Sequence, residues 1–376
     1  MFPSGPCCAL VELPSGPPSR PDRSALVVGA TGIAGSAVVD QLLEQGWPVV
    51  GLARRPGRER PGLRWVSADL TSAEALATAL AQERPTHVHF TAWLRQATET
   101  ENIAVNGGMV RDLLAALAHA PLAHVALVTG LKHYLGPFEA YGQGTMPDTP
   151  FHEDEPRLDA PNFYYAQEDE LFAAAAAHDF TWSVHRSHTV VGHAVGNAMN
   201  IGLTLAVAAA LCRHTGSPFV FPGSATQWDG LTDVTDATVL AEQMIWASTD
   251  PAGADEAFNV VNGDVFRWRW MWPRLAAALG VEPEGFRDAP RPFAEQMADA
   301  APVWAEVVAA HGLVEPDLDR LASWWHTDAD LGRDIEVVTD ISKSRLAGFT
   351  THHRTLDSFL ALFERYRAEG LVPALG

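Results

Sequence analysis

Short apolar runs alternate with amphipathic segments along the first half of the chain. The run ALVVGATGIAGSAVVDQLLEQG begins as a strand, turns at its glycines and continues with the apolar spacing of a helix. PVVGLA, LRWVSADL, THVHFTAW, HVALVTG and TWSVHRS predict five further strands in chain order. Helical patterns separate the later strands at residues 72–83, about 100–119 and 162–178. This alternation predicts an α/β fold with a doubly wound parallel sheet.

The first turn of this fold, at residues 29–35, has the sequence GATGIAG. It follows a strand and opens a helix, where glycines allow the backbone to approach a pyrophosphate and the free N–H groups of the helix can bind it. The strand–turn–helix context favours a Rossmann-type dinucleotide site over a glycine turn without a ligand. We predict that five residues of this turn bind the cofactor: Gly29, Thr31, Gly32, Ile33 and Gly35.

The end of the second strand distinguishes between the two nicotinamide cofactors. NAD enzymes usually place an acidic residue there for the ribose hydroxyls. This chain instead carries Arg54 and Arg55, and guanidinium groups form charge-assisted hydrogen bonds to a 2′-phosphate. We therefore predict NADP(H) as the cofactor, with a solvated basic loop as the alternative. Asp69 and Leu70, after the third strand, are placed either to flank the adenine or to begin the next helix.

The regular alternation stops at residues 131–161, and an irregular stretch of this length inside a domain is usually functional. Beyond residue 192, the chain continues with an Ala-rich helix, a short strand and a Trp-rich region. We therefore predict a flexible leader at residues 1–23 and a dinucleotide-binding domain at 24–190. Residues 191–376 are expected to form mainly a smaller substrate-side subdomain, with elements that return to the Rossmann core.

Charge and cysteine content narrow the function further. The formal net charge of −20 disfavours nucleic acid as a partner. Any site that binds an anion must carry basic residues that outweigh the negative potential of the whole protein. The three cysteines have no metal-type spacing and suit a reducing cytoplasm. No apolar run reaches the roughly 18–20 residues of a membrane span, and the N-terminal segment lacks the basic region of a signal peptide. The histidines have no ligand spacing such as HExxH, so we predict no metal.

The usual catalytic pair of short-chain dehydrogenases, a tyrosine followed four residues later by a lysine, does not occur in this sequence. The chain has only two lysines, Lys132 and Lys343, among 26 basic residues. Lys132 follows the fifth predicted strand, at the edge where doubly wound sheets bind ligands. A compact ammonium can perform a role there that the planar guanidinium of arginine cannot, although chance placement is the alternative.

Several long motifs resemble the progesterone 5β-reductase/iridoid synthase (PRISE) family of atypical short-chain dehydrogenases/reductases. They are TGLKHYLGPFEAYG, EDEPRL, NFYYAQED, TWSVHR, WDGLTDVTDA, EAFNVVNGDVFRW and SWW. The resemblance extends from about Ala25 to Pro373. It implies reduction of the carbon–carbon double bond of an α,β-unsaturated carbonyl (an enone) by NADPH, with Lys132 and Tyr164 as the catalytic pair.

The resemblance also assigns Trp93 to the cofactor region, and we place Val190 there too. Tyr164 would donate a hydrogen bond from its phenol hydroxyl to the forming enolate oxygen. Lys132 would orient the ribose and favour a more acidic tyrosine, whereas Tyr165 would be a packing residue.

One segment departs from the family pattern. After the sixth strand the family has H-R-P-G-N, whereas this chain has His185-Arg186-Ser187-His188-Thr189, which alters the loop beside the nicotinamide. Two other functions remain open: a sugar-nucleotide epimerase or dehydratase, which needs the missing tyrosine–lysine pair, and a non-catalytic NADP-sensing protein. A small-molecule enone is the expected partner, and a homodimer is left open.

Overall fold

The computed structural model describes residues 23–137 and 148–375. Its first half contains the following elements: β1 (Ala25–Val28), α1 (Ile33–Glu44), β2 (Val49–Ala53), β3 (Leu63–Ser67), α2 (Ala73–Leu80), β4 (His87–Phe90), α3 (Glu99–Ala116), β5 (His124–Gly130), α4 (Lys132–Leu135), α5 (Phe163–His178) and β6 (Thr181–Ser187). These elements match the strands and helices that the sequence predicts, except for the short α4, which lies in the stretch expected to be irregular. The predicted leader lies outside the described residues, apart from Arg23, and Cys7 and Cys8 lie outside them too.

The second half is mainly helical. Its elements are β7 (Val190–Val191), α6 (Ile201–Thr215), β8 (Phe219–Val220), α7 (Ala225–Asp229), β9 (Thr235–Asp236), α8 (Ala237–Ala247), β10 (Glu256–Val260), α9 (Trp268–Leu279), β11 (Pro283–Glu284), α10 (Phe293–Gln296), α11 (Ala300–His311), α12 (Trp324–Leu331), α13 (Ser342–Leu346) and α14 (Thr355–Ala368). None of the described helices is long and apolar enough to cross a membrane.

The main sheet has seven strands in the order β10-β6-β5-β4-β1-β2-β3, and every neighbouring pair is parallel. The order runs outward in both directions from β1, which confirms the doubly wound Rossmann-type fold. β10 comes from the second half of the chain and pairs with β6; the sequence did not predict this strand. The domain boundary at residue 190 stays a prediction.

Helices cover both faces of this sheet, so most residues of its inner strands are buried. Side chains of α2, α3 and α5 pack on one face, while α1 and α8 pack on the other. A separate core joins α6, α9, α11 and α14. The carboxyl ends of β1, β4, β5 and β6 therefore meet at one edge of the sheet, beside the second core.

Histidines interrupt the apolar face of the sheet that α8 covers. The side chain of His89 on β4 is fully buried, and neither ring nitrogen has a hydrogen-bond partner among the described residues. Burial holds the pKa of His89 well below its ordinary value, and the neighbouring His87, His124 and His185 act in the same direction. His89 is therefore neutral in the folded protein, but it ionises below about pH 6.5 in the unfolded chain.

We expect His89→Leu to stabilise the protein more at pH 5 than at pH 8. Below about pH 6.5 the unfolded chain is stabilised because His89 binds a proton there, whereas the folded protein keeps His89 neutral. This difference lowers the free energy of unfolding by about 2 kcal/mol at pH 5. Thermal unfolding at the two pH values measures the difference. The exposed His311 provides the control, since His311→Leu should bring no extra gain at pH 5. An equal gain for His89→Leu at both pH values would contradict this explanation.

Candidate active site

A cleft of about 200 Å³ lies at the carboxyl edge of the sheet. Its walls come from the turn after β1, the segment after β4, the start of α4, the start of α5 and the segment that joins β6 to β7. Residues of α12 and the segment after it complete the wall. Ligands of doubly wound sheets bind at this edge, so the cleft is the candidate active site.

The glycine turn after β1 has the geometry of a phosphate cradle. Gly29 adopts a positive φ of 78°, and a β-carbon on Gly35 would lie only 2.2 Å from the Gly29 carbonyl oxygen. Gly32 is the N-cap of α1 and supplies no side-chain cap. The N–H groups of the first helical turn are thus available to an anion, and this fits the pyrophosphate of a dinucleotide.

The loop after β2 lies beside this turn. A β-carbon on Gly57 would be 3.5 Å from Thr31 Cγ2. Arg54 and Arg55 are exposed, and within the described ranges neither guanidinium takes part in an ion pair. The loop therefore brings two guanidinium groups to the edge of the dinucleotide site, and the charge of Arg54 also helps to lower the pKa of Asp69.

Asp69 and Leu70 follow β3 and do not line the cleft. The Oδ1 atom of Asp69 accepts hydrogen bonds from the backbone N–H and the hydroxyl of Thr71, at 2.9 and 2.8 Å. These bonds hold the pKa of Asp69 below its ordinary value. Leu70 is half-buried against the sheet core. The Asp69 turn leads into α2, whose N-cap is Ser72, and contact with the adenine stays a prediction.

Lys132 lies at the start of α4 with only 4% of its surface exposed. Its Nζ atom is 4.9 Å from the ring centre of Phe163, the first residue of α5. Asn162, the N-cap of α5, donates a 2.7 Å hydrogen bond to the Lys132 carbonyl oxygen. The same side chain accepts a 3.0 Å bond from the Tyr164 N–H. One amide therefore fixes the backbones of Lys132 and Tyr164 relative to each other.

The Tyr164 hydroxyl lies over the end of β5. A β-carbon on Gly130 would be 3.3 Å from this hydroxyl and 2.9 Å from the Ser187 carbonyl oxygen, so only glycine leaves room here. The hydroxyl makes no hydrogen bond to any residue that the structure describes. Burial raises the pKa of Tyr164, and the carboxylate of Glu99 raises it further. Burial therefore outweighs any acidifying effect of Lys132 on this tyrosine, and that effect stays a prediction.

Tyr165, by contrast, uses its hydroxyl in the structure itself. It donates a 2.6 Å hydrogen bond to the His133 carbonyl oxygen and accepts a 3.0 Å bond from the Leu158 N–H. His133 is buried beside it, and burial lowers its pKa to about 4. Tyr134 donates to Asn259 at 2.6 Å. These side chains hold the segment before α5 in place and have no free hydroxyl to offer a substrate.

Residues 68–373 match the PRISE-like Rossmann-fold domain family. The chain belongs to this family. It is 38% identical over 364 residues to an (S)-8-oxocitronellyl enol synthase from Camptotheca acuminata, with 93% of each chain covered. It is 39% identical over 363 residues to a 3-oxo-Delta(4,5)-steroid 5-beta-reductase from Arabidopsis thaliana, again with 93% of each covered. The predicted resemblance is confirmed.

Solved structures confirm the fold at lower identity. A UDP-glucose 4-epimerase from Thermus thermophilus in complex with NAD has a TM-score of 0.61 at 19% identity, covering 92% of this chain and 99% of its own. A UDP-N-acetylglucosamine 4-epimerase from Methanobrevibacter ruminantium has a TM-score of 0.63 at 15% identity, covering 93% and 99%. The PRISE-like chain therefore has the Rossmann-type fold of these two epimerases.

The structure brings six of the predicted site residues of this PRISE-like protein into the cleft. They are Gly32, Ile33, Trp93, Lys132, Tyr164 and Val190. Trp93 stacks on Phe163, with the ring centres 5.3 Å apart. The remaining predictions, Gly29, Thr31, Gly35, Arg54, Arg55, Asp69 and Leu70, lie outside the lining of the cleft. Within the described part of the chain no three His, Cys, Asp or Glu side chains converge as metal ligands, and a metal-free site stays a prediction.

The segment that departs from the PRISE-like pattern forms one wall of the cleft. His188 is buried, and its Nδ1 atom lies 2.8 Å from Asp233 Oδ1. Three residues in α12 and just after it complete this wall: His326, Asp330 and Arg333. The altered loop is visible in the sequence, but these partners are not, because they lie more than a hundred residues farther along the chain.

Proposed function

We propose that this protein reduces the carbon–carbon double bond of an α,β-unsaturated carbonyl compound with NADPH. The observation that carries the proposal is that Tyr164 lines the cleft together with Lys132 and that its hydroxyl has no hydrogen bond to a described residue. The curated relatives point the same way, since one of them is named as a steroid 5-beta-reductase. Tyr165, whose hydroxyl is already engaged twice, is the less suitable donor.

The reaction needs a group that stabilises negative charge on the substrate oxygen. When bound, NADPH supplies the hydride that the β-carbon of the substrate accepts. Tyr164 donates a hydrogen bond to the carbonyl oxygen, where the charge of the enolate develops. The enolate then takes a proton from water at the α-carbon, which gives the saturated carbonyl compound. Its raised pKa keeps the phenol protonated at ordinary pH, so it acts as a donor. Lys132 orients the nicotinamide ribose. Asn162 bonds to the backbones of Lys132 and Tyr164 and so fixes their relative positions.

The preference for NADPH rests on Arg54 and Arg55. Both are exposed at the edge of the dinucleotide site, without ion-pair partners in the described ranges, and no acidic residue occupies the end of β2. A 2′-phosphate would supply the missing negative charge. Asp69 and Leu70 would then lie on the adenine side of the cofactor.

Replacing both Arg54 and Arg55 with alanine should raise KM for NADPH by about 10²-fold or more, because hydrogen bonds to charged groups contribute about 1.5–3 kcal/mol each and two of them are lost. KM for NADH should change little. Steady-state kinetics with both cofactors measures this effect, and Arg84→Ala, an exposed arginine just before β4, is the matched control. Equal affinity of the unmodified protein for NADPH and NADH would refute the assignment.

Two other functions are weighed against the reductase: a sensor that binds the cofactor without catalysis, and an epimerase. NADPH oxidation with 2-cyclohexen-1-one distinguishes a reductase from a sensor that only binds the cofactor. Turnover rejects the sensor, whereas failure with a broad panel of enones and enals would favour it. An epimerase would need the tyrosine–lysine pair that the sequence lacks. We also infer a cytoplasmic enzyme whose partner is a small molecule, and a homodimer remains open.

A further inference from the structure

Side chains of β3 hold the loop that follows β2 at both of its ends. We call residues 54–58 the arginine loop, because three of the five are arginines. At its start, the Ser67 hydroxyl donates a 3.1 Å hydrogen bond to the Arg54 carbonyl oxygen. At its end, the indole N–H of Trp65 donates a 3.2 Å bond to the Arg58 carbonyl oxygen. Both anchors lie on one face of β3, since side chains alternate along a strand.

The Trp65 ring lies against two glycines. A β-carbon on Gly51, in β2, would be 2.8 Å from Trp65 Cζ3, and one on Gly57, in the arginine loop, would be 2.7 Å from Cζ2. Carbon atoms in contact are about 3.5–4.0 Å apart, so the ring fits only because both positions are glycine. The Gly57 β-carbon would also be 3.5 Å from Thr31 Cγ2. The loop is therefore packed between the indole and the glycine turn after β1.

A loop that is fixed before binding holds a phosphate more tightly than a mobile loop does. Guanidinium groups this close in sequence repel one another, and the backbone that carries them loses conformational freedom when a ligand orders it. A loop anchored at both ends has less of this freedom to lose. Trp65 is half-buried and Ser67 is exposed, and neither side chain is charged. Their influence on a bound phosphate therefore has to pass through the backbone of the loop.

We propose that Trp65 and Ser67 are positioning residues that set how strongly the protein prefers a 2′-phosphate, because they hold the arginine loop against the glycine turn. This inference rests on the proposed use of NADPH and adds the residues that make the choice of cofactor selective. The guanidinium groups bind the phosphate, and Trp65 and Ser67 fix the backbone from which they extend. Loss of either anchor weakens the contact with the 2′-phosphate and leaves the rest of the adenosine site unchanged.

The test measures the binding of 2′,5′-ADP and of 5′-AMP, which differ only in the 2′-phosphate, by isothermal titration calorimetry. The unmodified protein should bind 2′,5′-ADP about 10²-fold or more tightly. This preference should fall about 10-fold in Trp65→Leu, because more of the loop must be ordered on binding. It should fall about 3-fold in Ser67→Ala, which loses one surface hydrogen bond. Trp65→Phe, which keeps an aromatic ring against the glycines, should lie between Trp65→Leu and the unmodified protein.

Trp182→Leu, the same change at a half-buried tryptophan of β6, is the matched control and should keep the full preference. An unchanged preference in Trp65→Leu overturns the inference, even if both nucleotides bind more weakly by the same factor. An equal fall in Trp182→Leu overturns it too. If Trp65→Leu does not fold, Ser67→Ala decides alone, because an exposed hydroxyl can be removed without disturbing the core. A lack of preference in the unmodified protein would instead reject the use of NADPH, so the two claims fail separately.

Discussion

Tyr164→Phe should lower kcat by about 10²-fold or more, the order expected for one donor to a developing oxyanion. The change keeps the ring that contacts Phe163, with the ring centres 4.3 Å apart, and removes only the hydroxyl. Folding and NADPH binding should therefore survive. The loss should appear in kcat, because the hydrogen bond strengthens as charge develops. It should be smaller for very electrophilic enals.

Tyr165→Phe is the matched control. It removes a hydroxyl that bonds to two backbone groups, so it should lower the melting temperature and leave kcat much closer to that of the unmodified protein. The raised pKa of Tyr164 also predicts no loss of rate from tyrosine ionisation up to about pH 9, since the unperturbed group titrates near pH 10. If Tyr165→Phe were the more damaging change on a reactive enone, the choice within the pair would be wrong.

Lys132→Ala should reduce kcat/KM on the order of 10²-fold, the scale of other single-group losses in active sites. The ammonium is nearly fully buried and lies over the Phe163 ring, at the position from which it would orient the ribose. NADPH titration and far-UV circular dichroism would separate cofactor placement from unfolding.

Lys132→Arg should not restore full activity. A guanidinium is planar and longer than an ammonium, so it cannot occupy the same point above Phe163. Lys343 is half-buried, lies outside the cleft and pairs with Glu256. It offers a control, because Lys343→Ala should leave turnover close to normal. Wild-type rates in Lys132→Ala would reject the role of this residue.

The sequence predicts most of the sheet, because its strands are short apolar runs with a glycine or a polar residue at each end. HVALVTG and TWSVHRS match β5 and β6 residue for residue. The sequence does not predict β10 (Glu256–Val260) as a strand. Its five residues begin with a charged one, and it becomes a strand only by pairing with β6, about seventy positions earlier. Local pattern carries no information on such a pairing.

The candidate site divides in the same way. Lys132 and Tyr164 follow from the motifs that resemble the family, since each motif is continuous in sequence. The role of Asn162, which links their backbones, depends on a contact between α4 and α5 that spacing does not show. The wall of the cleft that includes Thr189 and Arg333 depends on contacts between residues still farther apart in the sequence. Arg333 and Thr189, for example, are separated by 144 positions. Only the folded chain brings these groups together.

The most direct test of the proposed reaction follows the hydride itself. 2-Cyclohexen-1-one is incubated with the protein and NADPH that carries deuterium at both C4 positions of the nicotinamide, and the product is analysed by NMR and mass spectrometry. The proposed mechanism predicts cyclohexanone with one deuterium on the former β-carbon and none on the carbonyl carbon. Deuterium on the carbinol carbon of 2-cyclohexen-1-ol, or a product without deuterium, would contradict it.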